Sequence, residues 1–272
     1  MFVYTLIKFD ITQKEIILAL ISDIEMIEGI EEKDIEIEAY ADDTTDFESQ
    51  LKEIQNVIPF EYTKVELQQK NWNEIWESNF EPVIINEKIG IRAVFHPTIN
   101  NVIQEIIIQP KMSFGTGHHA TTAQVIKSMQ LYNFKNKKVL DLGSGTAILA
   151  IYAEMLGANE VLAIDNDEWC FENAQENIAL NHTKHVEPKL GNLEDILEEQ
   201  YDVVLANIHK NYHLEHIAHY DEILKNGAYI LLSGFYENDA QEILNKALEY
   251  NLIANYYTAQ DNWVCMVLQK NN

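Results

Sequence analysis

The sequence predicts an α/β protein, a doubly wound and mostly parallel sheet, preceded by a small α+β domain. Three observations carry this. Residues 138–167, KVLDLGSGTAILAIYAEMLGANEVLAIDND, read as one complete βαβ unit: a short apolar run, a tight glycine turn, an apolar helix and a second strand ending in Asp165. After it, strand-like and helix-like segments keep alternating, as crossover helices on a parallel sheet require. Before it, residues 1–70 run strand, helix, two strands, helix and strand, the order of a ferredoxin-like domain.

In the N-terminal part, Val3–Phe9 is strand-like, and Thr12 with Glu15 forms a capping box. The helix it opens has Ile16, Ile17, Leu20, Ile21 and Ile24 as its apolar face. Glu28–Tyr40 holds two short strands, the second alternating through Ile35, Ile37 and Ala39. Thr45 with Glu48 caps a second helix bearing Phe47, Leu51 and Ile54, and Tyr62–Leu67 closes the domain. Residues 1–70 contain 17 Asp/Glu against 6 Lys/Arg, a net of −11, and no catalytic motif, which suits a recognition module. Residues 71–86 read as a helical linker, with Trp72, Ile75, Trp76 and Phe80 at helical spacing behind an Asn71/Glu74 capping box and packing the domain junction. The second domain is expected over 87–272. It begins with Ile89–Phe95 and Ile103–Gln109, read as a hairpin around Pro97–Asn101.

The chemistry starts at the loop FGTGHHATT, residues 114–122, whose glycines can wrap over a ligand before Thr121 and Gln124 cap a helix running to about Tyr132. Next comes the βαβ unit. Gly143 and Gly145 allow a sharp turn and a close backbone approach, and the following helix start presents unpaired N–H groups. An acidic residue about 20 positions further on, here Asp165, can accept both hydroxyls of a ribose. A dinucleotide fingerprint would need a third glycine at the position of Ile148, so hydride transfer is disfavoured. What stands is Asp141-x-Gly143-x-Gly145, a nucleoside-binding turn; a ligand-free βαβ turn is its alternative.

The remaining elements complete the sheet. Asp167 begins a helix to about Asn181, and Val186–Leu190 is a third strand whose end, Gly191-Asn192, is a candidate for adenine contact. Tyr201–Ala206 delivers Asn207 to the carboxyl edge, where open α/β sheets bind ligands. Tyr229–Leu232 follows, Asn238 and Gln241 cap another helix, and Ile253–Thr258 with Trp263–Leu268 close as an antiparallel pair. His209, His213, His216 and His219 lie along one side of a helix, as metal ligands would. They flank that helix's apolar residues Leu214, Ile217, Ala218 and Leu224, however, and no Cys or carboxylate pattern nearby completes a site. No metal is expected, and His213 or its neighbours are placed at the substrate entrance.

Composition excludes several classes. No apolar run approaches the ~18 residues of a membrane span, and the N-terminus lacks a signal-peptide pattern. Only Cys170 and Cys265 are present, in no metal or redox spacing, which fits a reducing cytoplasmic setting. A formal charge of −25 argues against holding nucleic acid by its phosphates and favours a basic partner.

The DxGxG turn resembles the first motif of class I methyltransferases, which bind S-adenosyl-L-methionine; that family often has a further glycine where this chain has Ala147. The combination of FGTGHHATT, DxGxG, Asp165 and Leu205-Ala206-Asn207-Ile208 resembles more specifically the bacterial methyltransferases of large-subunit ribosomal protein eleven, over nearly the whole chain. The loop matches that family's GTGxHxTT pattern, and the acidic first domain corresponds to its substrate-recognition domain. One departure is Gln109-Pro110-Lys111, where an acidic-Pro-Gly sequence is more usual; this bears on loop mobility. The resemblance implies a Rossmann-like sheet of seven strands. It also implies that Thr122, Gly143, Asp165 and Asn207 contact S-adenosyl-L-methionine, with Asn207 also facing the substrate amine as the catalytic residue. The implied reaction is N-methylation of lysine side chains or of the N-terminal amine of a basic ribosomal protein. A related enzyme with another acceptor, or a non-catalytic cofactor-binding docking protein, shares most of these features.

Overall fold

The computed structural model describes residues 2–22, 24, 27–41, 44–66, 80–111 and 113–271. The chain divides into two compact units, Met1–Asn79 and Phe80–Asn272.

The first unit is a four-stranded antiparallel sheet of order β2-β3-β1-β4, formed by β1 (Phe2–Ile7), β2 (Ile27–Glu32), β3 (Ile37–Ala41) and β4 (Glu61–Glu66). Two helices, α1 (Lys14–Ser22) and α2 (Thr44–Val57), complete the βαββαβ order. Alternation puts Tyr4 and Leu6 of β1 and Ile37, Ala39 and Ala41 of β3 in the core, against Ile17 and Ile21 of α1 and Phe47 and Leu51 of α2. Three expectations shift here. Ile35 precedes β3 and is 74% exposed. Ile16 and Leu20 are exposed, whereas Ile17 and Ile21, with Leu18 beside them, pack on the core. The entry to α1 is a 3-10 turn, Ile11–Gln13, capped by Asp10, whose carboxylate accepts from Thr12 N at 3.0 Å. The expected helix over 71–79, with Trp72, Ile75 and Trp76, lies outside the described residues.

The second unit holds a seven-stranded sheet of order β10-β9-β8-β11-β12-β14-β13. Its strands are β8 (Lys138–Leu142), β9 (Glu160–Asp165), β10 (Val186–Leu190), β11 (Tyr201–Asn207), β12 (Leu224–Tyr236), β13 (Leu252–Gln260) and β14 (Trp263–Lys270). β10, β9, β8, β11 and β12 pair in parallel; β14 runs against both of its neighbours. This is the mixed, mostly parallel Rossmann-like sheet that the sequence predicts. Five helices cover it: α3 (Ala120–Met129), α4 (Ile148–Met155), α5 (Glu168–Leu180), α6 (Lys210–Ile223) and α7 (Glu237–Leu248). Within β11, Val203 and Leu205 enter the core on the α3–α4 side, whereas Val204 and Ala206 enter the core on the α6–α7 side. That two-sided burial explains the uninterrupted apolar reading of this strand.

A three-stranded sheet, β5 (Val83–Ile85), β6 (Ile89–Ala93) and β7 (Gln104–Ile108), precedes α3. β5 lies in the stretch expected to be helical linker. The hairpin expected from β6 and β7 is not formed: they pair in parallel, and β5 is the antiparallel partner of β6. The chain turns at Ala93–His96, returns over Gly90 with Ile99 against it, and restarts where Ile103 N donates to Lys88 O at 2.7 Å. Arg92 Nε paired with Glu105 at 3.0 Å, and Ile99 N donating to the same carboxylate at 2.7 Å, hold that crossover.

Candidate active site

In a doubly wound sheet the crevice forms where the chain reverses its direction of winding. Here that point lies between β8 and β11. The carboxyl ends of β8, β9 and β11 carry Gly143, Asp165 and Asn207, and all three line one cavity of about 310 Å³. Phe114, Asn192, His209 and Tyr212 complete much of its wall.

The glycine turn has little freedom to be anything else. Gly143 has φ +65°, and a Cβ there would lie 2.8 Å from Ile208 Cδ1. At Gly145, φ +52°, a Cβ would press into the Phe114 carbonyl oxygen. Asp165 braces the turn from β9: its Oδ2 accepts from Gly145 N at 2.8 Å and its Oδ1 from Asp167 N at 3.1 Å. Each oxygen has further acceptor capacity, so the carboxylate can also take hydroxyl donors from a ligand.

The two glycine motifs are stitched together. Thr146 N donates to Phe114 O at 3.0 Å, and Thr146 Oγ1 donates to Gly115 O at 2.6 Å. The loop at 114–117 is thereby fixed onto the turn at 143–146. It leads into α3, whose N-cap is His119 rather than Thr121: the ring Nδ1 accepts from Thr121 N at 3.3 Å. Thr121 lies inside the helix, and the imidazole two residues earlier already satisfies its amide. The expected cap of α7 at Asn238 is likewise displaced, to Tyr236, which makes no side-chain cap bond.

Thr122 is wholly buried and does not line the cavity. Its Oγ1 accepts from Asn207 Nδ2 at 3.3 Å, so it sets the orientation of Asn207. That leaves Asn207 Oδ1 buried without a hydrogen-bond partner, at a residue of the cavity wall. An unpaired buried acceptor costs about 1–3 kcal/mol, and a donor brought by a ligand recovers it.

Asp141 lies beneath the turn and is fully buried. Burial pushes its carboxyl up to about 8, although Ala150 N donates to Oδ2 at 2.9 Å. It shapes the turn from below and does not line the cavity. Ala147, the N-cap of α4, takes the left-handed conformation (φ +60°, ψ 21°). This is where the resembling family often has glycine, and the alanine carries backbone strain there.

His213 is not at an entrance. It is fully buried, with Nδ1 3.1 Å from the Tyr220 hydroxyl and Nε2 2.9 Å from Ser233 O, and burial pushes its imidazole down to about 4. The neighbouring His209 and Tyr212 line the cavity instead. Asn192 lines it too, its N–H donating to Asp195 Oδ2 at 2.8 Å. A set of residues that the sequence reading did not single out is Asn173 and Asn177 on one face of α5 and Asn181 at its C-cap. Asn177 Nδ2 donates to Thr146 O at 3.0 Å, Asn177 Oδ1 accepts from Gln109 N at 2.7 Å, and Asn181 Oδ1 accepts from Ile107 N at 2.9 Å. The signal was their spacing of four, which puts three amides in one row.

Sheet order, glycine turn and strand-end acid together define a class I methyltransferase. A crystal structure of ribosomal protein L11 methylase from Lactobacillus delbrueckii subsp. bulgaricus superposes with TM-score 0.65 at 23% identity, covering 71% of this chain and 99% of that one. A methyltransferase from Pyrococcus furiosus gives TM-score 0.53 at 17% identity, covering 61% and 90%. The family model described as Ribosomal protein L11 methyltransferase (PrmA) matches residues 10–271, and the chain belongs to that family. A relative from Phocaeicola vulgatus, named Ribosomal protein L11 methyltransferase, is 40% identical over 238 residues, covering 85% of this chain and 84% of its own length. One of the same name from Chlorobaculum tepidum is 34% identical over 242 residues, covering 85% and 82%. Among the described residues, no helix is long and apolar enough to cross a membrane.

Proposed function

We propose that this protein transfers methyl groups from S-adenosyl-L-methionine to amino groups of large-subunit ribosomal protein L11, in the cytoplasm. When bound, the cofactor supplies a sulfonium methyl group, an electrophile that a neutral amine can displace in line. The observation that carries the reading is the buried, unpartnered Oδ1 of Asn207 in the wall of a cavity that Asp165 also lines.

The residues fit such a cofactor. Asp165 is the ribose acceptor, Gly143 and Gly145 keep Cβ atoms out of the turn, and Asn192 reaches the same cavity for the base. Asn207 Oδ1 accepts an amine N–H and turns the nitrogen lone pair toward the methyl group, while Thr122 holds the amide in that orientation. The chain needs no nucleophile of its own, because its task is alignment. A lysine amine, with an ordinary pKa near 10.4, must be presented neutral; an N-terminal amine, at about 7.7–8.0, is neutral more readily, and desolvation in the cavity favours the neutral form of either. Residues 1–70, with their net of −11, dock a basic protein and leave the chemistry to 87–272.

The test is incubation of the full chain with isotopically labelled S-adenosyl-L-methionine and the total large-subunit ribosomal proteins, followed by mass mapping. Label on L11 amines is the expected result. Label on a different protein would point to another acceptor, and cofactor binding without any transfer would overturn the enzymatic reading.

A further inference from the structure

The row of histidines on α6 is only partly accounted for by the cavity and the core. His209 lines the cavity and His213 is buried in hydrogen bonds, but His216 and His219 belong to neither. Opposite them is Glu194, from the 3-10 turn Leu193–Ile196 that follows β10. One ligand atom from each of Glu194, His216 and His219 lies within 4.8 Å of the others, the one such group of three among the described residues.

The protons at this cluster can be assigned in part. His216 Nδ1 lies 2.9 Å from Tyr212 O, a carbonyl that can only accept, so Nδ1 carries the proton. In the neutral ring, Nε2 is then a lone pair, and it faces Glu194 Oε1 at 3.3 Å. Two acceptors at that distance require a cation between them. A proton would suffice for that pair, yet it gives no role to the third group. His219 Nδ1 is buried without a hydrogen-bond partner, although its ring centroid is only 5.8 Å from that of His216. An imidazole tied through one nitrogen to a backbone carbonyl, with the other nitrogen turned to a cluster of ligands, is the usual outer support of a metal-bound histidine.

We infer that Glu194, His216 and His219 bind a divalent transition ion of the zinc class, with water in the fourth position. Two imidazoles and one carboxylate are a known Zn²⁺ ligand set. Ligand atoms around a tetrahedral Zn²⁺ sit roughly 3.3 Å apart, as bonds of 2.0–2.1 Å dictate. Glu194 Oε1 and His216 Nε2 already stand 3.3 Å apart, and side-chain rotations from within 4.8 Å close the rest of the triad, with the Glu194 side chain 56% exposed. The ion ties the turn after β10 to α6. Both elements adjoin the cavity, through Asn192 on one side and Tyr212 on the other, and the Tyr212 ring stacks on His216 with centroids 4.0 Å apart. The sequence conceals this site because its carboxylate comes from a separate element, 22 positions before His216. The site does not depend on which cofactor or substrate the cavity takes.

The experiment is calorimetric titration of the chelator-stripped full chain with Zn²⁺, repeated on Glu194→Gln and His219→Ala, with Co²⁺ absorption in the visible as the coordination readout. The expected result is saturable binding at one ion per chain with Kd below 100 μM, weakened at least tenfold in each variant, and Co²⁺ bands of tetrahedral intensity that both variants lose. Glu194→Gln is a near-isosteric change on an exposed side chain, so a fold defect does not confuse that arm. Absence of saturable binding below 100 μM, or an affinity unchanged in either variant, would overturn the site.

Discussion

The two units use the same kinds of element and differ in what they bury. In the first, every buried side chain among the described residues is apolar or, as with Tyr4, aromatic. In the second, twelve polar or charged side chains are buried among the described residues, all from Ser113 to Ser233, including Thr122, Asp141, Asn173, Asn177 and His213. Buried polar groups stabilise a fold only when fully satisfied, so such a concentration marks where structure serves chemistry. The first unit keeps its charge outside, where it can act on a partner at a distance set by ionic strength. We therefore read the second unit as the place of reaction and the first as the place of recognition.

The polar interior of the second unit can be taken apart one group at a time. The largest effect is expected for Asn207→Ala. Turnover should fall by roughly 100-fold, the scale of a misplaced reacting group, while cofactor affinity changes far less. Equal losses in both, from steady-state rates and calorimetry, would reduce Asn207 to a cofactor contact. Asp165→Ala should weaken S-adenosyl-L-methionine binding by about 1.5–3 kcal/mol, the range for hydrogen bonds to a charged group. An unchanged calorimetric affinity in a folded variant would remove Asp165 from the ribose.

His213 tests the burial itself. Its folded-state value, near 4, lies below the ordinary 6.5, so the unfolded chain binds the extra proton first and acid costs stability across that interval. From pH 6.5 to 5 the loss is about 1.5 kcal/mol. Asp141 works in the opposite sense: its raised value stabilises the fold at low pH, and that contribution fades as pH rises toward 8. Urea melts of the wild type and His213→Gln, compared at each pH, isolate the histidine. The variant should be less stable at neutral pH but should show a flatter acid limb, and parallel limbs would contradict the buried neutral imidazole. The smallest effect belongs to Ala147→Gly, which should raise stability by about 1 kcal/mol by relieving the left-handed alanine. A lower Tm would mean that the methyl group's packing outweighs the backbone strain.

How far the sequence could be read follows from the same contrast. Gly143, Gly145, Asp165 and Asn207 were legible because a tight turn and a strand end are local, and their chemistry is tied to spacing. The succession of strands and helices in the ferredoxin-like domain and in the doubly wound sheet was legible from the alternation of elements. The pairing of β6 with β7 was not, since two strands ten residues apart can close as a hairpin or cross over, and tertiary contacts such as Ile99 on Gly90 and Arg92 with Glu105 favour the crossover. The caps at the entry to α1 and at α3 were misplaced because a neighbouring polar side chain, Asp10 or His119, reached the amide first. The four histidines, spaced four, three and three, read in the sequence as one side of a helix. In the fold they meet different surroundings: a cavity wall at His209, the core at His213, and a facing carboxylate at His216 and His219.

The division of labour between the units is tested most directly by comparing the full chain with a fragment that begins at Phe80, where the second compact unit starts. Two quantities are measured on both: affinity for S-adenosyl-L-methionine, and the rate of methyl transfer to intact L11. The fragment should keep its cofactor affinity and lose most of the methylation, because the acceptor is no longer held near the site. Raising the salt should reproduce part of that loss in the full chain. A folded fragment that methylates intact L11 as fast as the full chain would contradict the recognition role of the first unit.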